Sequence, residues 1–197
     1  VHDIVPNRVM EYKPDSNGKL TNFHFVVPEY LYGAAGMTMS LNDLISWEKD
    51  LHHNHFMSEA SKDKMWTPFQ YKNGKGFSYG WDIQKLNGVT SYGFNGGGLV
   101  NYRIFPSRGI SVIWFTNGYR KPHNMDTITN TLVGFVDEDL IDATPKFSEK
   151  LTALFRSKKS NEFRGAFDRL KRNYPHVDYE RAINALGYLH LRKKQVD

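Results

Sequence analysis

The chain contains no cysteine. That absence excludes a disulfide framework, a thiolate metal site and a cysteine nucleophile, so any chemistry falls to oxygen and nitrogen groups. No apolar run approaches the roughly 20 residues that cross a bilayer, and no membrane-spanning helix is expected. The opening Val1-His2-Asp3 lacks both an initiating methionine and the charged start of a signal peptide. The closing residues LRKKQVD stop within a helical pattern without a cap. Both ends point to a fragment or processed product, periplasmic or secreted if a leader has been removed and cytoplasmic otherwise.

What is present suffices for a core. Across 197 residues, 40% are hydrophobic and 14% aromatic, enough for one domain with a small appendage. The net charge of +5 is concentrated between Arg156 and Lys194, where basic residues interleave with Phe163, Phe167, Leu170, Ala182 and Leu186. That spacing describes solvated helix faces rather than a stripe for nucleic acid, and no nucleic-acid partner is expected.

Pro6, Pro14 and Asp15-Ser16-Asn17-Gly18 break the first residues into loops and a hairpin-like excursion, with a strand after them over Leu20 to Val27. Ser40 with Asp43 three residues on forms a capping box, and Leu41, Leu44, Ile45, Trp47 and Leu51 give an apolar stripe. Together they predict a helix from Leu41 to His52. A second short helix is expected over Ser58 to Met65, ended by Pro68. Phe77 to Leu86 alternates as one strand, and Asn87-Gly88 marks a hairpin with a return strand over Thr90 to Phe94. Tyr102 to Phe105 and Ile110 to Thr116 flank the turn Pro106-Ser107-Arg108-Gly109, completing an antiparallel meander. A helix from Asp126 to Ile141 should cover one sheet face, and Lys146 to Tyr174 and Tyr179 to Lys194 should be helical, joined at Pro175. The four tryptophans, Trp47, Trp66, Trp81 and Trp114, read as core, with Trp81 or Tyr79 as alternatives for the border of a ligand cleft.

Between the meander strands runs YGFNGGGLV, Tyr92 to Val100. A phosphate loop needs glycines that open a helix, and here the glycines lead into a strand with no lysine after them, which argues against a nucleotide. No cofactor is expected. His52, His53 and His55 lack the spacing and the carboxylates of a metal site and read as a solvated helix end, so no metal is expected either.

The order GAAGMTMSLNDLISWEKDL, FMSEASKDKMWTP, FSYGWDI, YGFNGGG and FPSRGISVIWFTNG resembles the C-terminal portion of the serine beta-lactamase and penicillin-binding-protein family, most closely its class C beta-lactamase and esterase branch. The segment VHDIVPNRVMEYKPD, with Arg8 and Tyr12, resembles the stretch directly after that family's Tyr-x-Asn motif. The resemblance implies an α+β fold: an antiparallel sheet flanked by helices, an incomplete domain over residues 1–144, with a small α-helical extension over 145–197. It also implies an active site along an edge strand carrying Lys-Thr-Gly or His-x-Gly. Here the matching positions are Phe94-Asn95-Gly96, with Gly97 next.

Glycine has a physical use there, because backbone N–H groups must face a developing oxyanion and a side chain would obstruct the substrate. Phe94, Asn95, Gly96, Gly97 and Gly98 are therefore the candidate substrate-binding residues, with Gly97 the oxyanion candidate. Asn95 serves equally as a substrate contact or a strand-end residue. The departures from the family are a phenylalanine where a cation stands and a segment between Gly98 and Phe105 about three residues shorter than is usual there. The nucleophile motif, Ser-x-x-Lys opening a helix, is read as absent, since Ser61 beside Lys62 and Ser157 beside Lys158 have the wrong spacing. The catalytic first half is expected upstream of Val1, and the chain alone is expected to be inactive.

Tyr179 to Leu189 resembles the first helix of a tetratricopeptide repeat, with Leu186-Gly187 as its small-residue signature and His190 where tyrosine is usual. One half-repeat cannot bury its own apolar face, so it must dock on the body, pair with another chain or continue in the parent. The expected function is a portion of a serine hydrolase acting on amide or ester bonds of a small molecule or peptide. The alternative is a non-catalytic ligand-binding or protein-interaction module that associates through the helical tail.

Overall fold

The computed structural model describes residues 7–23, 28–70, 76–118, 122–157 and 160–194. By contact the chain divides into two compact units, Val1–Lys85 with Thr90–Leu132, and Leu86–Val89 with Val133–Asp197.

The first unit opens on a hairpin, β1 (Glu11–Pro14) with β2 (Leu20–Phe23), in register from Glu11↔Phe23 to Pro14↔Leu20. The Asp15 carboxylate closes its turn by accepting the N–H groups of Asn17 at 2.8 Å and Lys19 at 2.9 Å. Residues 24–27 of the expected strand lie outside the described residues. Helix α1 (Leu41–His52) has the expected limits because its capping box is complete: Ser40 Oγ accepts from Asp43 N at 3.2 Å, and Asp43 Oδ2 accepts from Ser40 N at 2.9 Å. Helix α2 (Glu59–Trp66) starts at Ser58, whose hydroxyl caps Ser61 N at 3.2 Å.

A six-stranded sheet comes next, in chain order: β3 (Phe69–Gln70), β4 (Gly76–Ser78), β5 (Trp81–Leu86), β6 (Val89–Gly96), β7 (Val100–Phe105) and β8 (Ile110–Phe115). The expected single strand from Phe77 to Leu86 is in fact two, folded back at Tyr79 (φ 40°) and Gly80 (φ 85°), with Ser78 opposite Trp81. Alternation continues across such a turn, so the pattern alone conceals it. The Asn87-Gly88 turn is as expected, with φ values of 51° and 85° that suit the twist of the strands it joins.

Alternation along the strands sorts their side chains. Trp81, Tyr92, Phe94, Tyr102, Ile104 and Ile113 share one face and pack with Leu44, Trp47 and Leu51 of α1 and with Met65 and Trp66 of α2. At roughly 1.5–3 kcal/mol for each fully buried large apolar side chain, this cluster is the main core of the unit. Helix α3 (Pro122–Val136) covers the other face, where Thr129 meets Trp114 and Asn101. It stops before Ile141, because Asp137 leaves the helix and caps a separate 3-10 turn, Glu138–Leu140. Met125, Thr129 and Val133 on it are fully buried. Phe135 and Val136, expected to be apolar members of the packed face, are exposed.

The second unit contains α4 (Thr144–Ser157), α5 (Ser160–Arg172) and α6 (Tyr179–Lys194). The expected helix over 146–174 is therefore two helices. Phe147, Leu151, Val177 and Ala182 form the core of the unit, with Phe163, Phe167, Tyr174 and Tyr179 against them. The Tyr179 hydroxyl donates to the Tyr174 carbonyl at 2.6 Å and fixes the loop around Pro175. α6 thus buries its apolar side on α4 rather than standing alone. Asn87 Nδ2 donates to the carbonyls of Asp139 at 2.8 Å and Ile141 at 2.9 Å. The fold class is α+β, as expected.

Candidate functional site

β6 places the residues singled out in the sequence. Phe94 lies opposite Tyr102, Asn95 opposite Asn101 and Gly96 opposite Val100. Leu99 N donates to Gly96 O at 2.9 Å, closing a turn whose central residues, Gly97 and Gly98, have φ of 57° and 75°. Two of the three consecutive glycines are therefore required by a turn that other residues adopt only under strain. Gly97 is exposed, and a carbon added there would meet nothing within 4 Å, whereas Gly98 is buried.

The expected edge strand is also corrected, since β6 has β5 on one side and β7 on the other. Its last residues nevertheless form a free end. The two-residue turn at Asn87-Gly88 sets Trp81, the first residue of β5, opposite Phe94, with ring centroids 6.3 Å apart. Asn95 and Gly96 thus run past β5 into the Gly97-Gly98 turn. Asn95 is exposed.

Phe94, at the position where the resemblance leads one to expect a cation, is half-buried in an aromatic cluster, 5.4 Å from the Tyr102 ring. Trp66 stacks on Tyr92 at 4.9 Å, and Trp81 lies edge-on to both Trp66 and Tyr102. Burial, and secondarily the charge of Glu48, push the Tyr102 phenol well above its usual range, so it stays protonated. Trp81 is core, as read from the sequence. Tyr79 is exposed at the turn before it.

The opposite face of the same strands holds a polar layer that the sequence reading missed. Arg103 is 1% exposed and donates from Nη2 to Asp82 Oδ2 at 2.8 Å, which also accepts from Gln84 Nε2 at 2.6 Å. Between Arg103 and Asp82 lies Gly93, where an added Cβ would sit 2.1 Å from the Tyr102 carbonyl oxygen and 2.9 Å from Arg103 Cα. Farther along, Trp114 Nε1 donates to Thr129 Oγ1 and Thr129 Oγ1 donates to Asn101 Oδ1, each at 2.9 Å. Strand parity sets Asp82 and Arg103 opposite the aromatic positions, but it does not say that the two meet.

Other candidates are dispersed. Glu48 accepts from Ser111 at 2.6 Å and is not paired with Asp82. His53 Nδ1 meets the Lys49 carbonyl and His55 Nδ1 the Asp50 carboxylate, both at 2.8 Å, and among the described residues no group of three His, Asp or Glu is arranged to hold a metal. The nucleophile spacing needs correction in its letter, since Ser-x-x-Lys occurs at Ser16–Lys19, Ser46–Lys49 and Ser61–Lys64. The first lies in the β1–β2 turn, and its residues are exposed. In the second, Ser46 and Lys49 are exposed on α1. In the third, Ser61 and Lys64 are exposed on α2 and Ser61 Oγ lies 2.9 Å from Ser58 Oγ, while the buried lysine is Lys62, held by Glu59 at 2.9 Å.

No helix among the described residues is long and apolar enough to cross a membrane. No curated protein and no solved structure matches the chain. A protein-family model described as Beta-lactamase matches residues 4–134, which span β1 through most of α3 and include the whole of the β6 terminus. The chain belongs to the beta-lactamase family.

Proposed function

We propose that this chain supplies the substrate-binding and oxyanion portion of a serine hydrolase of the class C and esterase branch, acting on amide or ester bonds of a small molecule or peptide. The observation that carries the proposal is the end of β6: an exposed Asn95 and an exposed Gly97, which run beyond the neighbouring strand into a turn without side chains. An acyl group can approach the backbone there unobstructed, and Asn95 offers both a donor and an acceptor. The nucleophile is assigned to residues outside this chain, because none of the three Ser-x-x-Lys stretches within it brings a serine and a lysine together away from solvent.

The test combines turnover and binding on the polypeptide as it stands. Nitrocefin and a p-nitrophenyl ester should not be turned over, while benzamide should shift the backbone amide resonances of Asn95 to Gly98 saturably. A Gly97→Pro change, which removes the proposed donor, should weaken that response. Turnover lost on Ser61→Ala would place a nucleophile on α2 and overturn the assignment. Shifts confined to other residues would overturn the site.

A second reading is a non-catalytic ligand-binding or interaction module. It is favoured by Phe94, whose ring packs in the aromatic cluster where acid–base chemistry would need a polar group. In that reading the tetratricopeptide-like α6 supplies the contact, through the exposed Ile183, Tyr188 and Leu191.

A further inference from the structure

Resting on the reading of Asn95 to Gly98 as a ligand edge, we propose that this edge takes a neutral acyl group with an aromatic or apolar substituent and discriminates against carboxylate ligands. The surface beside the edge is aromatic. Phe94 and Tyr92 are half-buried on the same side of β6, and Trp66 stacks on Tyr92 at 4.9 Å. Flat apolar rings are favoured there by area and by offset or edge-on ring contacts.

The charges around the cluster point the same way. Glu48 is close enough to Tyr102 to act on its phenol, and so brings negative potential to this face. Lys62, whose Nζ lies 5.8 Å from the Trp66 ring, is held by Glu59 at 2.9 Å, which offsets its charge. A carboxylate seated on Phe94 would be desolvated beside an anion, a costly arrangement.

The polar groups within the cluster are neutral donors. Trp66 Nε1 and Tyr102 Oη are buried and, among the described residues, have no hydrogen-bond partner. Both rings touch Trp81, whose own ring meets Phe94. An indole N–H and a protonated phenol match a neutral carbonyl oxygen, the acceptor that an ester or amide brings.

The experiment compares phenylacetamide with phenylacetate, two probes of similar shape that differ in charge, in NMR titrations of the wild-type polypeptide at pH 7. Phenylacetamide should bind at least about tenfold more tightly, the least effect expected for an unpaired charge in a partly dehydrated site, and should shift Asn95 to Gly98. Phe94→Lys should reverse the preference by supplying the cation. Trp66→Phe keeps the ring and removes one donor. It should weaken phenylacetamide by about threefold to tenfold. Equal or tighter binding of phenylacetate by the wild type, or an unchanged preference in folded Phe94→Lys, overturns this inference and leaves the edge reading standing. Failure of both probes to shift Asn95 to Gly98 overturns the edge reading and this inference with it.

Discussion

Trp81 and Asp82 are neighbours on β5, as Tyr102 and Arg103 are on β7, yet each pair divides its side chains between sheet faces built on different principles. Toward α1 and α2 the face is a contiguous aromatic layer in which Trp47, Trp81 and Tyr102 lie 5.6 to 6.0 Å apart. Toward α3 it is a polar layer of fully buried Arg103, Ser91, Asn101 and Thr129. Removing water from apolar rings is favourable in proportion to their area, so the first face depends on filling volume. Removing water from a guanidinium is unfavourable unless its partners are present, so the second depends on completeness.

The largest effect should come from emptying the aromatic face. Trp81 is buried and touches Trp47, Trp66, Phe94 and Tyr102, so Trp81→Ala should destabilise the protein by about 4 kcal/mol, read as a lowered urea midpoint. A loss near that of an exposed residue would mean that the rings do not form the core. The adjacent Asp82→Ala should be nearly as harmful for a different reason, since it leaves the Arg103 charge buried without its carboxylate. Asp82 is 36% exposed, so water replaces part of what is lost and the effect should be about 3 kcal/mol, the low end for a broken buried pair. The two faces separate in the paired replacement. Asp82→Leu combined with Arg103→Met should recover most of the loss, because charge and partner leave together. A double variant as unstable as Asp82→Ala would show that packing, and not matching, governs both faces.

The aromatic face was legible in the sequence because period-2 alternation and tryptophan each point inward, and α1 was legible to the residue because Ser40 and Asp43 announce its start. The Tyr79-Gly80 fold-back was not. A tyrosine at positive φ carries no local signature, and its neighbours alternate through it. The end of α3 was missed because the apolar pattern continues through Phe135 and Val136 into Leu140, while the backbone changes course at Asp137. At the site, the position of Asn95 to Gly98 at a strand end could be read from glycines that lead into a strand. The polar layer could not, because Asp82 and Arg103 are 21 residues apart and only the register of three strands, with Gly93 leaving room between them, brings them together.

The smallest effect tests α1, which carries Leu44, Trp47 and Leu51 to the aromatic face. Ser40→Ala removes a side-chain cap and should destabilise by about 1 kcal/mol at neutral pH. Asp43→Asn should be milder and pH-dependent. The Asp43 carboxyl is held below the usual carboxylate range, first by the Ser40 backbone N–H and then by the Ser40 hydroxyl. A carboxyl whose pKa is lower folded than unfolded binds protons more readily in the unfolded chain. Its contribution is therefore complete above the unfolded value of about 3.9 and is lost as pH falls through the lower folded value. The stability difference between wild type and Asp43→Asn should accordingly be constant near neutrality and shrink in acid, in urea titrations repeated along a pH series. The protection factor of the Leu44 amide, which donates to Ser40 O at 3.2 Å, should fall over the same acid range in the wild type. A difference that widened in acid would show that the Asp43 charge opposes α1, and the face that α1 covers would then owe its stability to the rings alone.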